Sequence, residues 1–346
     1  MNDSLSRAIV DSEESSPTWV MVIIPYYQRA EGLLAEALES VFAQSTIEQG
    51  LRLDLLVVDD HSPRDPAMDV EQVSVPENVK LTMLRTAVNG GPAAARNCGL
   101  GAVPAGVTHV AFLDSDEVWT PLHLENALRA FELSQAGIYF ANYTRSEWQR
   151  DKFAVTGFGK GHALLCQDKG IYSFSGDPLN DILFNATVRI QTCVVRWSQM
   201  SAFRFRRELA IGEDSDYVAN AVTEAGVGMC FCMDVETIAM RSGVNVSQNI
   251  HRDPPKELLI RFEMLRYQSY VLKTYSVRPG IGELAQEALL EARYNFLQAV
   301  ADGALSVAAK ARGLGRATIA DAGFLPWCVA FLSRVLWRRL TGKSPQ

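Results

Sequence analysis

Between Trp19 and Ser134 the sequence switches back and forth between two periodicities, and that alternation limits the fold more than any other feature. "WVMVIIP" (Trp19 to Pro25) is a continuous apolar, β-branched run, the pattern of a strand buried on both faces. "AEGLLAEALESVFAQ" (Ala30 to Gln44) then sets Leu33, Leu34, Ala37, Leu38 and Val41 at helical spacing. "LRLDLLVVDD" (Leu51 to Asp60) and "VKLTMLR" (Val79 to Arg85) predict two more strands, and "GPAAARNCGLGA" a helix opening near Pro92. "THVAFLDS" reads as a fourth strand, and "PLHLENALRAFELS" as a helix with Pro121 in its first turn. Such alternation predicts a mostly parallel sheet covered by helices on both faces.

In sheets of this kind ligands sit beyond the carboxyl ends of the strands. The polar residues gather at those ends: Tyr27 after the first strand, Asp59 and Asp60 after the second, Asn89 and Arg96 near the third, Asp114 and Asp116 after the fourth. The need for a polar turn explains each end singly, but not four of them on one edge. The fourth, "VAFLDSDEVWTP", sets Asp114, Asp116 and Glu117 within four positions. Carboxylates so close raise each other's pKa unless water screens them or a cation sits among them.

The chain has 346 residues, 48% of them hydrophobic, and a net charge of −7. That suffices for one large domain with an appendage or for two modest ones. The acidity argues against a nucleic-acid partner, which would meet a basic face. Six cysteines without a C-x-x-C predict buried free thiols rather than disulfides, with Cys230 and Cys232 on one strand face. Residues 1–16, rich in Ser, Asp and Glu, are predicted to be disordered, and they lack the basic and apolar segments of a signal peptide. No run reaches the ~18 apolar residues of a spanning helix. A reducing, cytoplasmic location is expected.

Past residue 137 the pattern loosens, and residues 146–190 are mixed. "AGIYFANYT" and "QTCVVRW" read as strands, and "GMCFCMDVETIAMR" as a paired one. "IGEDSDYVANAVTEAG" opens a helix with Asp214 and Asp216 in its first turn and Gly226 as its stop. Two long helices are expected over Lys256 to Tyr275 and Gly282 to Gly303. Residues 304–346 carry Lys310, Arg312, Arg316, Arg334, Arg338, Arg339 and Lys343 against Asp321 alone. There Phe324, Leu325, Cys328, Phe331, Leu332, Val335 and Leu336 fall at helical spacing, with Trp327 and Trp337 near the ends. Two readings stand: a basic amphipathic helix lying peripherally on the cytoplasmic face of a membrane, or a terminal helix docked on the protein's own core.

No G-x-G-x-x-G follows the first strand, and no G-x-x-x-x-G-K-[ST] occurs, so neither a dinucleotide fold nor a P-loop is supported. The strand ends read instead "IPYYQR", "VVDDHS", "NGGPAAARNCG" and "LDSDEVWTP", followed by "IGEDSDY". In order and spacing these resemble the runs I-P-x-Y-N, V-D-D-x-S, N-x-G-x-x-x-A-R-N, L-D-x-D-D-x-x-x-P and G-E-D of family 2 glycosyltransferases. The resemblance covers roughly Val20 to Gly243; five ordered motifs make it specific where any one would be weak. It implies a GT-A fold, α/β with a Rossmann-like, mostly parallel sheet flanked by helices, and here a helical C-terminal extension. The expected organisation is a glycosyltransferase domain over 17–250, with a nucleotide-sugar half (17–136) and an acceptor half (137–250), then a helical region over 251–346.

The resemblance also implies roles. Asp114-Ser115-Asp116 would be the D-x-D, Asp116 holding Mn²⁺ or Mg²⁺ and Asp114 nearer the ribose or the metal's waters. Asp60 would accept a hydrogen bond from the nucleobase, with Pro25 and Tyr27 lining the base and ribose site. For Asp59 a structural loop role stands beside a binding one. Arg96 would reach nucleotide or phosphate unless it is a surface residue. Asn89 opens a sharp turn whose Gly90 and Gly91 let backbone approach a ligand. Asp214 matches the general base that deprotonates the acceptor hydroxyl, and Glu213 would orient the acceptor or brace the loop. The expected partners are a nucleotide-sugar donor, probed first as UDP-linked, and a glycan or lipid-linked acceptor, the anomeric centre being inverted.

Three positions depart from the family pattern. Gln28 stands for the usual Asn, and Glu117 lengthens the second acid after the D-x-D. "MRSGVNVS" lacks the histidine often found there, leaving Ser242 as a polar stand-in and His251 in "QNIHRDPP" as a substitute metal ligand. Two rivals share the fold: a catalytically silent sugar-binding or scaffolding protein, and a sugar nucleotidyltransferase. The second would need a Gly-rich basic loop after the first strand, and "IPYYQRAEG" is not one.

Overall fold

The structure, a computed structural model, describes residues 17–240, 253–301 and 304–341, with side chains through 333. Residues 1–16, Ser242 and His251 lie outside the described residues. Ten strands form one sheet: β1 (Trp19–Tyr26), β2 (Arg52–Asp59), β3 (Val79–Arg85), β4 (His109–Phe112), β5 (Glu117–Trp119), β6 (Ile138–Arg145), β7 (Ala163–Cys166), β8 (Ile171–Ser173), β9 (Val194–Arg196) and β10 (Met229–Ala239). Their order is β3-β2-β1-β4-β9-β6-β10-β8-β7, with β5 paired to β10. β3, β2, β1 and β4 run parallel, as do β6 and β10. β9 is antiparallel to both of its neighbours. The sheet is therefore mixed and mostly parallel, and the carboxyl ends of its first four strands share one edge.

The period-2 pattern of β1 explains its central place. Met21 and Ile23 enter the core on one face, while Val20, Val22 and Ile24 enter the core on the other. Each such side chain contributes about 1.5–3 kcal/mol on full burial, so a one-residue slip of this strand would expose neither face to water but would mismatch both. On one face lies helix α1 (Leu33–Phe42), which supplies Leu34, Ala37, Leu38 and Val41. On the other lies α2 (Pro92–Gly101), whose Ala93, Ala95 and Gly99 let it approach closely. A Cβ at Gly99 would stand 2.6 Å from Ile23, so the small residue there is a packing requirement.

α1 begins at Leu33 rather than Ala30 because Gly32 takes a left-handed conformation ahead of it. α3 (His123–Leu133) likewise starts late: Leu122 caps it, and Pro121 stands before the helix rather than in its first turn. The strand expected at "QTCVVRW" shortens to β9 because a 3₁₀ turn, Ile190–Thr192, occupies its first half. Cys193, Cys230, Cys232 and Cys328 are buried thiols, but Cys98 is exposed, and Cys166 is half-buried at the margin of one core.

α4 (Glu213–Ala225) opens after Gly212 and stops at the left-handed Gly226. The helical region follows with α5 (Pro254–Tyr275), α6 (Ile281–Ala301), α7 (Val307–Ala320) and α8 (Phe324–Thr341). α5 serves two cores. Tyr267, Val271 and Tyr275 pack with the sheet-side cluster, while Phe262 and Leu265 join Leu289, Phe296, Ala317, Phe324 and Cys328 in a separate helical core.

Candidate active site

The register fixes where the candidate residues arrive. Tyr26, Asp59 and Arg85 stand level on β1, β2 and β3, with Tyr27, Asp60 and Thr86 one step beyond. β4 stops at Phe112, which delivers Asp114 to the same edge.

Asp60 is buried, and its carboxylate is heavily engaged. It accepts from the Gly90 N–H (3.0 and 3.1 Å to its two oxygens), the Gly91 N–H (2.7 Å) and the Thr86 hydroxyl (3.0 Å). It thereby fixes the turn that launches α2, where Gly91 adopts φ +81°. Beside it opens a cleft of about 330 Å³ lined by Thr86, Val88, Ala94, Asn97, Cys98 and Arg207 as well as Asp60. Pro25, Tyr27, Asp114 and Asp214 do not line this cleft; Tyr27 is 41% exposed at the end of β1, and Asn89 is exposed in its turn. Asp59 binds the Ser62 N–H (2.7 Å) and Arg85 (2.8 Å), a loop-bracing geometry.

The second assembly centres on Arg96. Its guanidinium is buried between two carboxylates, with Nη2 2.6 Å from Asp114 and Nη1 3.0 Å from Glu213; Nε has no hydrogen-bond partner. Burial disfavours its charge, yet Asp114 and Glu213 outweigh that cost and hold it above the ordinary guanidinium value. One side chain from α2 thus joins the end of β4 to the start of α4, 117 residues apart in sequence. Burial, then the charge of Asp214, push the Glu213 carboxyl up to about 7 against the pull of Arg96. Asp214, half-buried, accepts from the Ser215 N–H at 2.8 Å.

Further along the edge, Glu117 is buried and hydrogen-bonded by Gln191 (2.9 Å). Burial and then Asp114 push it up to about 8, with Asp116 adding to the push and Arg189 opposing it. Ser115 is buried and held by the Gln28 side chain (3.0 Å), whose backbone N–H in turn donates to Ser62 (3.0 Å). Gln28 therefore ties the ends of β1, β2 and β4 together. The Asp116 carbonyl accepts from the Met240 N–H at 3.2 Å.

Two groups escaped the sequence reading. Arg189 lies within electrostatic reach of Glu117, Asp214 and Asp114 and over the Tyr143 ring, its Nε buried without a partner. A lone arginine in "TVRI" carries no motif that would mark it. The other is a clamp from α5: the Tyr270 and Tyr275 hydroxyls donate to Asp216 (2.6 and 2.8 Å), which Arg206 also meets at 3.3 Å. Tyr267 packs so close that a Cβ on Gly212 would stand 2.3 Å from its ring. The helical region so holds the first turn of α4, and with it Glu213 and Asp214.

Among the described residues no group of three or more His, Cys, Asp or Glu side chains gathers to hold a metal. The donor chemistry still fits a hard divalent cation. Asp114 and Asp116 are half-buried carboxylates two positions apart, and Mg²⁺ takes one or two carboxylates with the rest of its shell from substrate phosphates and water. His251, the substitute ligand, cannot be placed because it lies outside the described residues.

The model of glycosyl transferase family 2 matches residues 21–199. The succinoglycan biosynthesis protein ExoW of Rhizobium meliloti (strain 1021) is 34% identical over 244 residues, 70% of this chain and 74% of that protein. The minor teichoic acid biosynthesis protein GgaA of Bacillus subtilis (strain 168) is 35% identical over 111 residues, 32% of this chain and 23% of the other. Among solved structures, the mannosyltransferase PcManGT from Pyrobaculum calidifontis, in complex with GDP-Man and Mn²⁺, superposes with a TM-score of 0.53 at 16% identity. It covers 95% of this chain and 89% of its own, which establishes the shared fold. With the edge motifs converging as described, the chain belongs to glycosyl transferase family 2, glycosyltransferases of GT-A fold that take their sugar from a nucleotide-sugar donor.

Proposed function

We propose that this chain is an inverting hexosyltransferase that moves a sugar from a UDP-linked donor onto a hydroxyl of a glycan or lipid-linked acceptor, as part of polysaccharide assembly. One observation carries the reading. Arg96 bridges Asp114, on the donor side, to Glu213, next to the base candidate Asp214, so both halves of a displacement reaction share one buried hydrogen-bonded chain.

The division of labour follows from where each group sits along the edge. Asp60 anchors the Gly90–Gly91 turn and borders the cleft, which suits a nucleobase, with Pro25 and Tyr27 at the neighbouring strand end. Asp116, with Asp114 behind it, would hold Mg²⁺ or Mn²⁺, which when bound neutralises the leaving diphosphate. Arg96, already held by two carboxylates, positions Asp114 and Glu213 rather than reaching for phosphate. Asp214 takes the proton from the attacking hydroxyl as the bond to the anomeric carbon forms. Glu213, tied to Arg96, braces that base. Asp214 standing at the position of the family's base supports inversion by direct displacement.

The test is calorimetric titration of UDP in Mn²⁺ and in EDTA, on wild type, Asp116→Ala and Asp214→Asn. Metal-dependent binding that Asp116→Ala loses and Asp214→Asn keeps, with Asp214→Asn inactive in sugar transfer, supports the reading. Binding of GDP or dTDP in place of UDP would change the nucleotide and leave the chemistry. No nucleotide binding at all would overturn it.

A further inference from the structure

The last two helices carry an exposed surface to which none of the edge residues described above belongs. Residues 304–346 hold seven Lys and Arg against one acidic residue, on a chain whose overall charge is −7, so a basic tail is set against an acidic body. The one acid, Asp321, is engaged by Arg293 in a two-pronged pair at 2.6 and 2.9 Å and fixes the turn between α7 and α8. It does not offset the remaining cations.

α8 divides its apolar residues between two faces. Phe324 and Cys328 are buried against Phe262, Phe296 and Ala317, and Trp327 stacks on Phe331 alongside them. This docking uses one stripe. The next stripe, Leu325, Val329 and Leu332 at spacings of four and three, is exposed at 54, 61 and 58%. α7 adds Val307, Leu314 and Ile319, also exposed, interleaved with Lys310, Arg312 and Arg316. The helix thus docks on the protein's own core by one face, and its other face points outward.

We propose that this α7–α8 face docks on an anionic lipid surface. Charge selects the occupant. A second copy meeting this face through its own α7–α8 face would bring like charge against like, whereas an anionic headgroup layer gains about 1 kcal/mol per basic residue held near it. The exposed leucines and valines supply the apolar contact that charge alone lacks. No helix of the described residues is long and apolar enough to cross a membrane, so the helix pair would lie along the interface. The inference stands independently of the donor and base assignments.

The experiment is co-sedimentation of the full chain with phosphatidylcholine vesicles, with and without phosphatidylglycerol, at low and high salt. The comparison variant is Leu325→Gln/Val329→Gln/Leu332→Gln, whose exposed positions leave the helical core untouched; a second variant is Lys310→Glu/Arg312→Glu. Wild type should bind the anionic vesicles and release in high salt, and either variant should bind about tenfold more weakly or less. UDP titration and thermal unfolding of the same samples, unchanged between them, would show that the fold survives. Equal partition onto neutral and anionic vesicles overturns the proposal, as does undiminished binding by both variants. A wild-type dimer that the glutamine variant converts to monomer, seen by light scattering, would overturn it in favour of a self-interface.

Discussion

Two polar assemblies in this molecule differ in electrostatic closure, one built on a single buried carboxylate and the other on several. In the first, under the sheet, Glu236 accepts from Asn126 (2.6 Å) and the Tyr139 hydroxyl (2.6 Å) and lies 2.9 Å from His123 Nδ1. One acid meets three donors, all of them buried. In the second, at the carboxyl edge, Arg96 and Arg189 lie among Asp114, Glu117, Glu213 and Asp214. Burial and neighbouring acids push Glu117 and Glu213 there both up toward neutrality. A closed cluster serves the fold. A cluster whose acids are pushed up in this way is open to a ligand that brings positive charge, and strained titration of this kind concentrates at functional sites.

Breaking the open cluster should have the largest effect. Arg96→Ala leaves Asp114 and Glu213 facing each other without their shared cation, and losing one partner of a buried pair costs about 3–5 kcal/mol. Transfer activity should fall by at least about a hundredfold. Arg96→Lys should recover little, because a single ammonium cannot span two carboxylates with the geometry of a fork. Steady-state rates with a fixed donor and acceptor, read beside thermal unfolding, check this. A folded Arg96→Ala protein with near-normal rates would mean that the bridge between donor side and base side does not matter.

The closed cluster should respond in the opposite sense. Glu236→Ala strands three buried donors at about 1–3 kcal/mol each before relaxation, so a loss of about 2–4 kcal/mol in stability is expected. Activity of the fraction that remains folded should be close to wild type. Urea unfolding paired with active-site titration by UDP separates the two quantities. A Glu236→Ala chain of normal stability and impaired transfer would reverse the contrast and make Glu236 part of the reaction.

The two clusters were also unequally legible. β1 to β4 could be read from apolar runs because both faces of those strands are buried, and their polar ends stood out against that background. Asp60, Asp114, Asp116 and Asp214 were found in this way together with the family pattern. Glu236 was invisible: its partners come from α3 and β6, at least 97 residues away, and neither element announces a polar core. The same holds for Gln28 bracing Ser115 across 87 residues and for the α5 tyrosines on Asp216 across 54 and 59. Arg189 follows an irregular stretch whose short helices and strands leave no sustained period to read. Local periodicity records which face is buried; it holds no information about which distant polar groups will meet there.

The smallest effect sharpens the comparison by pH. Glu213 has a folded-state pKa of about 7 against an ordinary 4.5, raised first by burial and then by Asp214. The native state therefore binds this proton more tightly than the unfolded chain does. Its contribution to stability is fully present below about 4.5 and is lost as pH rises through about 7. The unfolding free energy of wild type minus that of Glu213→Gln should fall across this window. Taking the difference matters because His109, held by burial at a pKa of about 4 instead of 6.5, has the opposite sign: its neutral form is favoured, and stability is lost as pH drops toward 4. That background cancels between the two proteins. A flat difference from pH 4.5 to 7 would mean that Arg96 fully compensates Glu213, and the edge cluster would then be as closed as the one around Glu236.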